Sequence, residues 1–214
     1  MRNWTMAMLP LAIALSGCNG DGKNGEHGAK HDERAAPAGP ATTQSFDLKG
    51  FTGVTVAGPD DVTIRQGDAF SISAKGPQSE LDELDIELDG AMLSIGRKRE
   101  GFSFSRHDSD GVQISITMPK LDTLRLTGSG SIDADTLDAD AAKLEVTGSG
   151  DVGVGKLTAK SAELGVSGSG NIEIKGGTIA TGDFGVTGSG DIDAAALAAQ
   201  TLDVSITGSG DVDA

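Results

Sequence analysis

From Ser45 onward, apolar residues recur at every second position in short runs bounded by turn-forming residues, which is the period of a strand with one face turned inward. Phe46-Asp47-Leu48, Val54-Thr55-Val56, Val62-Thr63-Ile64, Phe70-Ser71-Ile72, Leu84-Asp85-Ile86-Glu87-Leu88, Leu93-Ser94-Ile95 and Val112-Gln113-Ile114-Ser115-Ile116 all alternate in this way. Between them stand Gly58-Pro59-Asp60-Asp61, Gln66-Gly67-Asp68, Gly76-Pro77 and Asp89-Gly90, combinations that favour turns. The one helical stretch expected is a turn or two over Gln78 to Glu83.

Beyond residue 119 the alternation acquires a longer period. Thr127-Gly128-Ser129-Gly130 recurs as Thr147-Gly148-Ser149-Gly150, Ser167-Gly168-Ser169-Gly170, Thr187-Gly188-Ser189-Gly190 and Thr207-Gly208-Ser209-Gly210, each copy twenty positions after the last. Alternating runs flank every copy: Leu124-Arg125-Leu126, Leu144-Glu145-Val146, Leu164-Gly165-Val166, Phe184-Gly185-Val186 and Val204-Ser205-Ile206 precede it. Ile132 and Ala134, Val152 and Val154, Ile172 and Ile174, Ile192 and Ala194, then Val212 follow it. A fixed period of this size predicts a solenoid with one repeat per coil. Glycine suits the corners, where a missing Cβ permits positive φ or close packing. The expectation is an all-β chain: a strand-rich, irregular part over 45–118, then a β-solenoid of about 20-residue coils over 119–214.

The start of the chain reads differently. Met1-Arg2-Asn3-Trp4 and an apolar run from Met6 to Leu15 form an export signal over 1–18, too short to span a bilayer. Leu15-Ser16-Gly17-Cys18 resembles the lipobox of bacterial lipoproteins, which implies cleavage before Cys18 and a lipid on its sulfur; an ordinary secretory signal with a chance cysteine is the competing reading. Asn19 stands where that family's inner-membrane retention signal has Asp, so the resemblance implies the outer membrane of a Gram-negative envelope. Cys18 is the only cysteine, which excludes an intramolecular disulfide. Residues 19–44 are Gly, Lys, His, Glu, Asp, Ala and Pro without apolar periodicity and read as a polar tether. His27 and His31 within it are spaced as a helical metal pair would be, but glycines on both sides favour solvated residues.

Charge bears on partners. The formal net charge is −15, and residues 1–44 add nothing to it, since Arg2, Lys23, Lys30 and Arg34 balance Asp21, Glu26, Asp32 and Glu33. The folded part therefore carries the whole excess, which repels nucleic acid and anionic lipid headgroups. Arg97-Lys98-Arg99 is the one basic cluster; followed by Glu100, it reads as a solvated loop rather than a nucleic-acid or lipopolysaccharide patch.

Two acidic columns follow the corners. Asp151, Asn171, Asp191 and Asp211 stand just after Gly-Ser-Gly, with Ser131 in the first copy, and Asp133, Glu173, Asp193 and Asp213 lie two positions further. In a solenoid these stack at strand spacing, so a cation or hydrogen-bonding neighbours must relieve the like charges. Oxygen-rich ladders suit calcium, although the nonapeptide calcium repeat is absent; a solubilising acidic edge is the plainer alternative. No cofactor is expected.

Catalytic readings find little support. The compact group Phe102, Phe104, Arg106, His107, Asp108 and Asp110 brings His107 near Asp108, but no Ser/His/Asp order, phosphate-cradling loop or zinc spacing accompanies it. Polysaccharide-cleaving β-helices use paired acid/base groups and aromatic platforms. This chain has no tyrosine, and its only tryptophan is Trp4.

Phe51-Thr52-Gly53-Val54-Thr55-Val56, Asp61 to Asp68, Asp89 to Ile95, Met118-Pro119 and the serial Gly-Ser-Gly corners together resemble the GIN-type head domain of autotransporter adhesins, over essentially all of 45–214. The resemblance implies a right-handed parallel β-helix on secreted or lipid-anchored envelope proteins, and it transfers no catalytic residue. The expected function is an envelope-anchored interaction or adhesion module that is not an enzyme, with a surface protein or glycan as partner; a structural lipoprotein without a ligand and, last, a carbohydrate-active enzyme are the alternatives. At Leu202 to Val212 no capping element is visible. Either the chain is truncated relative to its relatives or a partner covers that edge, most simply another copy, with Asp203, Asp211 and Asp213 opposing such pairing.

Overall fold

The computed structural model describes residues 41–98 and 112–214. The strands are β1 (Ala41–Phe46), β2 (Gly53–Gly58), β3 (Asp61–Gln66), β4 (Ser71–Pro77), β5 (Leu84–Asp89), β6 (Met92–Arg97), β7 (Gln113–Met118), β8 (Thr123–Gly128), β9 (Ser131–Gly148), β10 (Asp151–Gly168), β11 (Asn171–Ile174), β12 (Gly177–Gly188), β13 (Ile192–Asp193), β14 (Leu197–Gly208) and β15 (Val212–Asp213). The single helix among the described residues, α1, covers Gln78–Glu83, the stretch the sequence pattern assigns to it. The first strand begins at Ala41, inside the stretch expected to be tether. Its side chains are exposed up to Phe46, which packs against the core, so no apolar period marks it; backbone pairing with β4 makes it a strand.

The architecture is a β-solenoid of about five turns with coils about 20 residues apart. The long strands bend round the corners and stack in parallel, in register: Leu144 over Leu124, Leu164 over Leu144, Phe184 over Leu164 and Val204 over Phe184. Three ladders run along the stack. One joins β5, β6, β2, β8 and the last segments of β9, β10, β12 and β14; a second joins β1, β4, β7, β3, the first segments of β9 and β10, then β11, β13 and β15; the third joins the middle segments of β9 and β10 to the first segments of β12 and β14. Inward columns such as Leu124, Leu144, Leu164 and Phe184 are at most 1% exposed and fill the interior. Each such side chain contributes roughly 1.5–3 kcal/mol by burial.

The repeat extends further than its sequence marking. Gly58 pairs with Gly128 and Asp61 with Ser131, so Gly58-Pro59-Asp60 is a corner of the same column as Gly128-Ser129-Gly130, seventy residues ahead of it. Beyond β2 and β3, parallel β6 and β7 add a further layer, and antiparallel β5, β4 and β1 close that end.

Corner geometry explains the glycines. The first glycine of each corner has φ between +122° and +133° from Gly128 to Gly208, a region that disfavours side chains. Its carbonyl accepts two bonds from the next coil: Ser149 N and Gly150 N both donate to Gly128 O, at 2.9 and 3.1 Å. The second glycine is buried against the preceding corner, and a Cβ on Gly150 would strike Gly130 O.

Candidate functional site

Once the interior is full, any recognition must use the outward columns, which the coil register lines up at strand spacing. Thr127, Thr147, Ser167, Thr187 and Thr207 form one exposed hydroxyl column, and Ser129, Ser149, Ser169, Ser189 and Ser209 form a second at the corner tips. Next to them runs the first acidic column. Asp61, Ser131, Asp151 and Asn171 stack in register, and Asp191 and Asp211 continue the line.

Hydrogen bonds relieve this column coil by coil. Ser131 Oγ donates to Asp61 Oδ1 at 2.7 Å, and Asn171 Nδ2 donates to Asp151 Oδ1 at 2.8 Å. Asp191 N donates to Asn171 Oδ1 at 3.1 Å, and Asp211 N to Asp191 Oδ1 at 2.8 Å. Ser131 and Asn171 supply donors that another carboxylate would lack, so the like charges expected to stack are interleaved. The second column is interrupted in another way: Gly153 separates Asp133 from Glu173, and Asp193 and Asp213 follow. The Asp133 carboxylate leans over the gap, where a Cβ on Gly153 would meet Asp133 Oδ1 at 2.7 Å. Among the described residues, no three His, Cys, Asp or Glu side chains are grouped to hold a metal ion.

The adjoining face, carried by the last segments of β8, β9, β10, β12 and β14, changes character along the stack. At one end Lys143 Nζ lies 2.8 Å from Glu145 and 2.7 Å from Glu163, and Arg125 Nε lies 2.8 Å from Glu145. The hydrogen bonds to Glu145 and Glu163 hold the Lys143 ammonium above the usual lysine pKa. Two coils on, the position of Arg125 and Glu145 is taken by Gly165 and then Gly185. A Cβ at either would meet nothing within 4 Å, and neither has positive φ, so the fold itself does not require glycine there. Glycine inside a strand without an internal reason marks a place where something outside can approach the backbone. Glu163 and Asp183 border this bare shelf on one side, Ser167 and Thr187 on the other. Beside the carboxylates runs an open groove of about 530 Å³ floored by Ala142, Ala162 and Gly182. The strand alternation contains Gly165 and Gly185, but only the absence of neighbours about them marks them out.

Arg97 corrects the reading of Arg97-Lys98-Arg99 as a solvated loop. Its side chain is 19% exposed and its Nε donates to Asp60 Oδ2 at 3.0 Å, while Nη1 donates to Glu80 Oε2 at 2.8 Å. Burial works to lower its pKa, but the bonds and charges of Asp60 and Glu80 outweigh that and hold the guanidinium above its ordinary value. Lys98 Nζ donates to Asp82 O at 2.9 Å. Local sequence could not reveal this, because Asp60 comes from the first corner and Glu80 from α1. Cys18, His27, His31, Arg99 and the group Phe102, Phe104, Arg106, His107, Asp108 and Asp110 lie outside the described residues.

The family described as "Putative auto-transporter adhesin, head GIN domain" matches residues 50–214. The chain belongs to this family. The GIN head domain is similar in fold to crystal structures of putative adhesins from Parabacteroides distasonis (24% identity, TM-score 0.61, 81% of each chain covered) and Parabacteroides merdae (21% identity, TM-score 0.60, 81% of this chain and 80% of that one). A putative lipid binding protein from Parabacteroides distasonis is also similar, at 21% identity and a TM-score of 0.56 over 82% of this chain and 96% of that one. No curated protein matches the chain. Among the described residues of the GIN domain, no helix is long and apolar enough to cross a membrane.

Proposed function

We propose that the chain is a non-catalytic interaction module of the cell envelope, anchored by a lipid on Cys18 and held off the membrane by the polar stretch that precedes β1. The observation that carries this reading is the bare shelf at Gly165 and Gly185, bordered by carboxylates and hydroxyls repeating at strand spacing. A rigid, side-chain-free backbone surface with polar groups along both margins suits contact with another macromolecule, a surface protein or a glycan, and costs little ordering entropy on binding. Membership of an adhesin-like family agrees with display at the envelope. The lipid-binding description attached to one structural relative finds no echo in the interior here, where Leu144, Leu164 and Phe184 leave the space between the ladders filled.

Three experiments test the proposal. Fractionation should find the chain with membranes and its Cys18→Ala variant released, because a lipid chain contributes about 0.8 kcal/mol per buried CH₂ and the acidic domain has no other affinity for anionic lipid. Protease added to intact cells should then remove the domain. Full protection would mean an inward-facing protein and would end the adhesion reading. Binding to host-cell or glycan surfaces should fall on Gly165→Arg and Gly185→Arg while the fold is kept.

A further inference from the structure

The outward face of β8, β9, β10 and β12 carries an ion-pair network that stops partway along the stack. Arg125 reaches Glu145 on the next coil at 2.8 Å, and Lys143 on that coil reaches Glu145 at 2.8 Å and Glu163 at 2.7 Å. In the order Arg125, Glu145, Lys143, Glu163 the signs alternate, and steps across coils alternate with a step along the strand. The next step along the strand from Glu163 lands on Gly165, which has no side chain to answer it. One coil further, Asp183 stands in the column of Glu163 and Gly185 in that of Gly165. Asp183 takes part in no ion pair among the described residues, so the network ends at Glu163.

We infer that the open rung at Gly165 takes a cation supplied by a protein partner, an arginine side chain laid on the bare shelf. The inference rests on the reading of the shelf as a contact surface and adds the chemistry of what it contacts. Three carboxylates surround the rung. At strand geometry the Cα atom of Glu145 lies about 5 Å from that of Gly165, Glu163 about 7 Å and Asp183 about 8 Å. Set against Arg125 and Lys143, these three acids leave one negative charge unbalanced, and a single added guanidinium balances it.

The chain itself shows that arginine suits this column. Arg125 occupies it two coils before Gly165 and turns its guanidinium to the carboxylate of the next coil. A guanidinium is planar and weakly hydrated, so it can lie flat on the peptide planes of Gly165 and Gly185 and donate towards Glu163 and Asp183 together. A lysine ammonium holds its water more strongly and lacks the planar fork. Nothing has to move to admit the ligand, since no heavy atom lies within 4 Å of where a Cβ on either glycine would stand. Ser167 and Thr187 on the far margin are exposed hydroxyls that can hold the backbone of the arriving segment.

Charge selects a basic protein segment over other occupants. Nucleic acid and anionic glycans carry the wrong sign for this face. A neutral glycan could accept and donate hydrogen bonds here but would leave the unbalanced carboxylate as it is. The net charge of −15 also draws basic surfaces from a distance, so association weakens with salt as the Debye length falls from about 10 Å at about 0.1 M to about 3 Å at about 1 M.

The experiment titrates hexa-arginine and hexa-lysine peptides into the purified full chain by calorimetry at low salt. Hexa-arginine should bind the more tightly. Gly165→Val fills the rung without changing the charge, so it should weaken hexa-arginine binding about tenfold, the loss of one charge-assisted contact, while the melting temperature does not fall. Asp183→Asn should weaken it to a similar degree. Glu87→Gln makes the same change of charge on β5, at the far end of the stack, and should leave the affinity within about twofold because ions screen it. Equal affinity for the two peptides, no effect of Gly165→Val, or equal losses from Asp183→Asn and Glu87→Gln would mean attraction to the overall charge and overturn the inference. If Gly165→Val weakens binding of maltohexaose but not of hexa-arginine, the inference also fails, while the shelf remains a contact surface. Purified protein gives these results whichever way the domain faces, so protection from protease on intact cells would end the adhesion reading without deciding this one.

Discussion

Asp60 stands where Gly130, Gly150 and the later corners have their second glycine, and its carboxylate is gripped by the Arg97 guanidinium. In the later coils that position is closed to any side chain, because the corner of the preceding coil lies against it. Ahead of Asp60, β6 and β7 form the preceding layer, and among the described residues no Gly-Ser-Gly corner lies against it. Asp60 therefore has room for a carboxylate, 1% exposed, which accepts from Arg97 Nε, Arg97 Nη2 and Val112 N. One residue joins the first corner to β6, to the start of β7 and, through Arg97, to Glu80 on α1.

Removing Arg97 leaves that buried charge, among the described residues, with a single backbone donor, Val112 N. Arg97→Ala should cost about 3–5 kcal/mol, the range for breaking a buried pair from one side. Arg97→Lys should recover only part of this, since an ammonium cannot serve Asp60 with two parallel bonds and Glu80 at once. Urea unfolding measures both, and a loss under about 1 kcal/mol for Arg97→Ala would mean that the clasp is solvated.

Glycines of the two kinds should respond with opposite signs. Gly150→Ala drives a methyl into Gly130 O and the side chain of Leu126, forcing two coils apart at a cost of about 3 kcal/mol or more. Gly165→Ala meets nothing within 4 Å, so it should stabilise by about 0.5–1 kcal/mol through lost freedom of the unfolded chain. Thermal melts of the two variants against the parent decide the matter, and destabilisation by Gly165→Ala would refute the claim that the fold does not need this glycine.

Val166 lies in the interior between Val146 and Val186 and is 3% exposed. Val166→Asp sets an unpaired carboxylate among apolar coils and should cost about 4 kcal/mol or more. The outward neighbour gives the control, since Ser167→Asp should change the melting midpoint little.

Asn171→Asp replaces the one amide in the acidic column. It removes the donor to Asp151 and sets a carboxylate between those of Asp151 and Asp191, about one strand spacing from each. The expected cost is about 1–2 kcal/mol, smaller at high salt. Calcium should leave the melting temperature of the parent chain unchanged, because hydrogen bonds already serve the column. A calcium-dependent rise in the parent would show that a cation, not Asn171, balances it.

Much of this was legible in order along the chain. Twenty-residue spacing, alternating runs and Gly-Ser-Gly corners place neighbouring coils next to one another in sequence as well as in space, so a local pattern reports a tertiary contact. The inward columns that alternation assigned through Phe184 and Val186 are the buried ones. Gln78 to Glu83 is likewise helical as read, since a short polar stretch after Gly-Pro decides its own conformation.

What lay beyond the sequence depends on contacts between distant segments. Gly58-Pro59-Asp60-Asp61-Val62 shares Gly-x-x-Asp-Val with Gly148 to Val152, a signal that was present, but seventy residues separate it from the coil on which it stacks. The pairing of β1 with β4 leaves no alternating mark over Ala41 to Ser45, because those side chains are exposed and the backbone bonds carry the pairing. Arg97 looked solvated because it sits beside Lys98, Arg99 and Glu100, while the acids that bury it arrive from Asp60 and from α1. Sequence by itself thus determined the coil, its period and its inward face, since these follow from the chain's local repeat. Only the tertiary structure decided where the stack is closed, which charge is buried and which glycines are free, because each of those requires segments to meet that no local pattern connects.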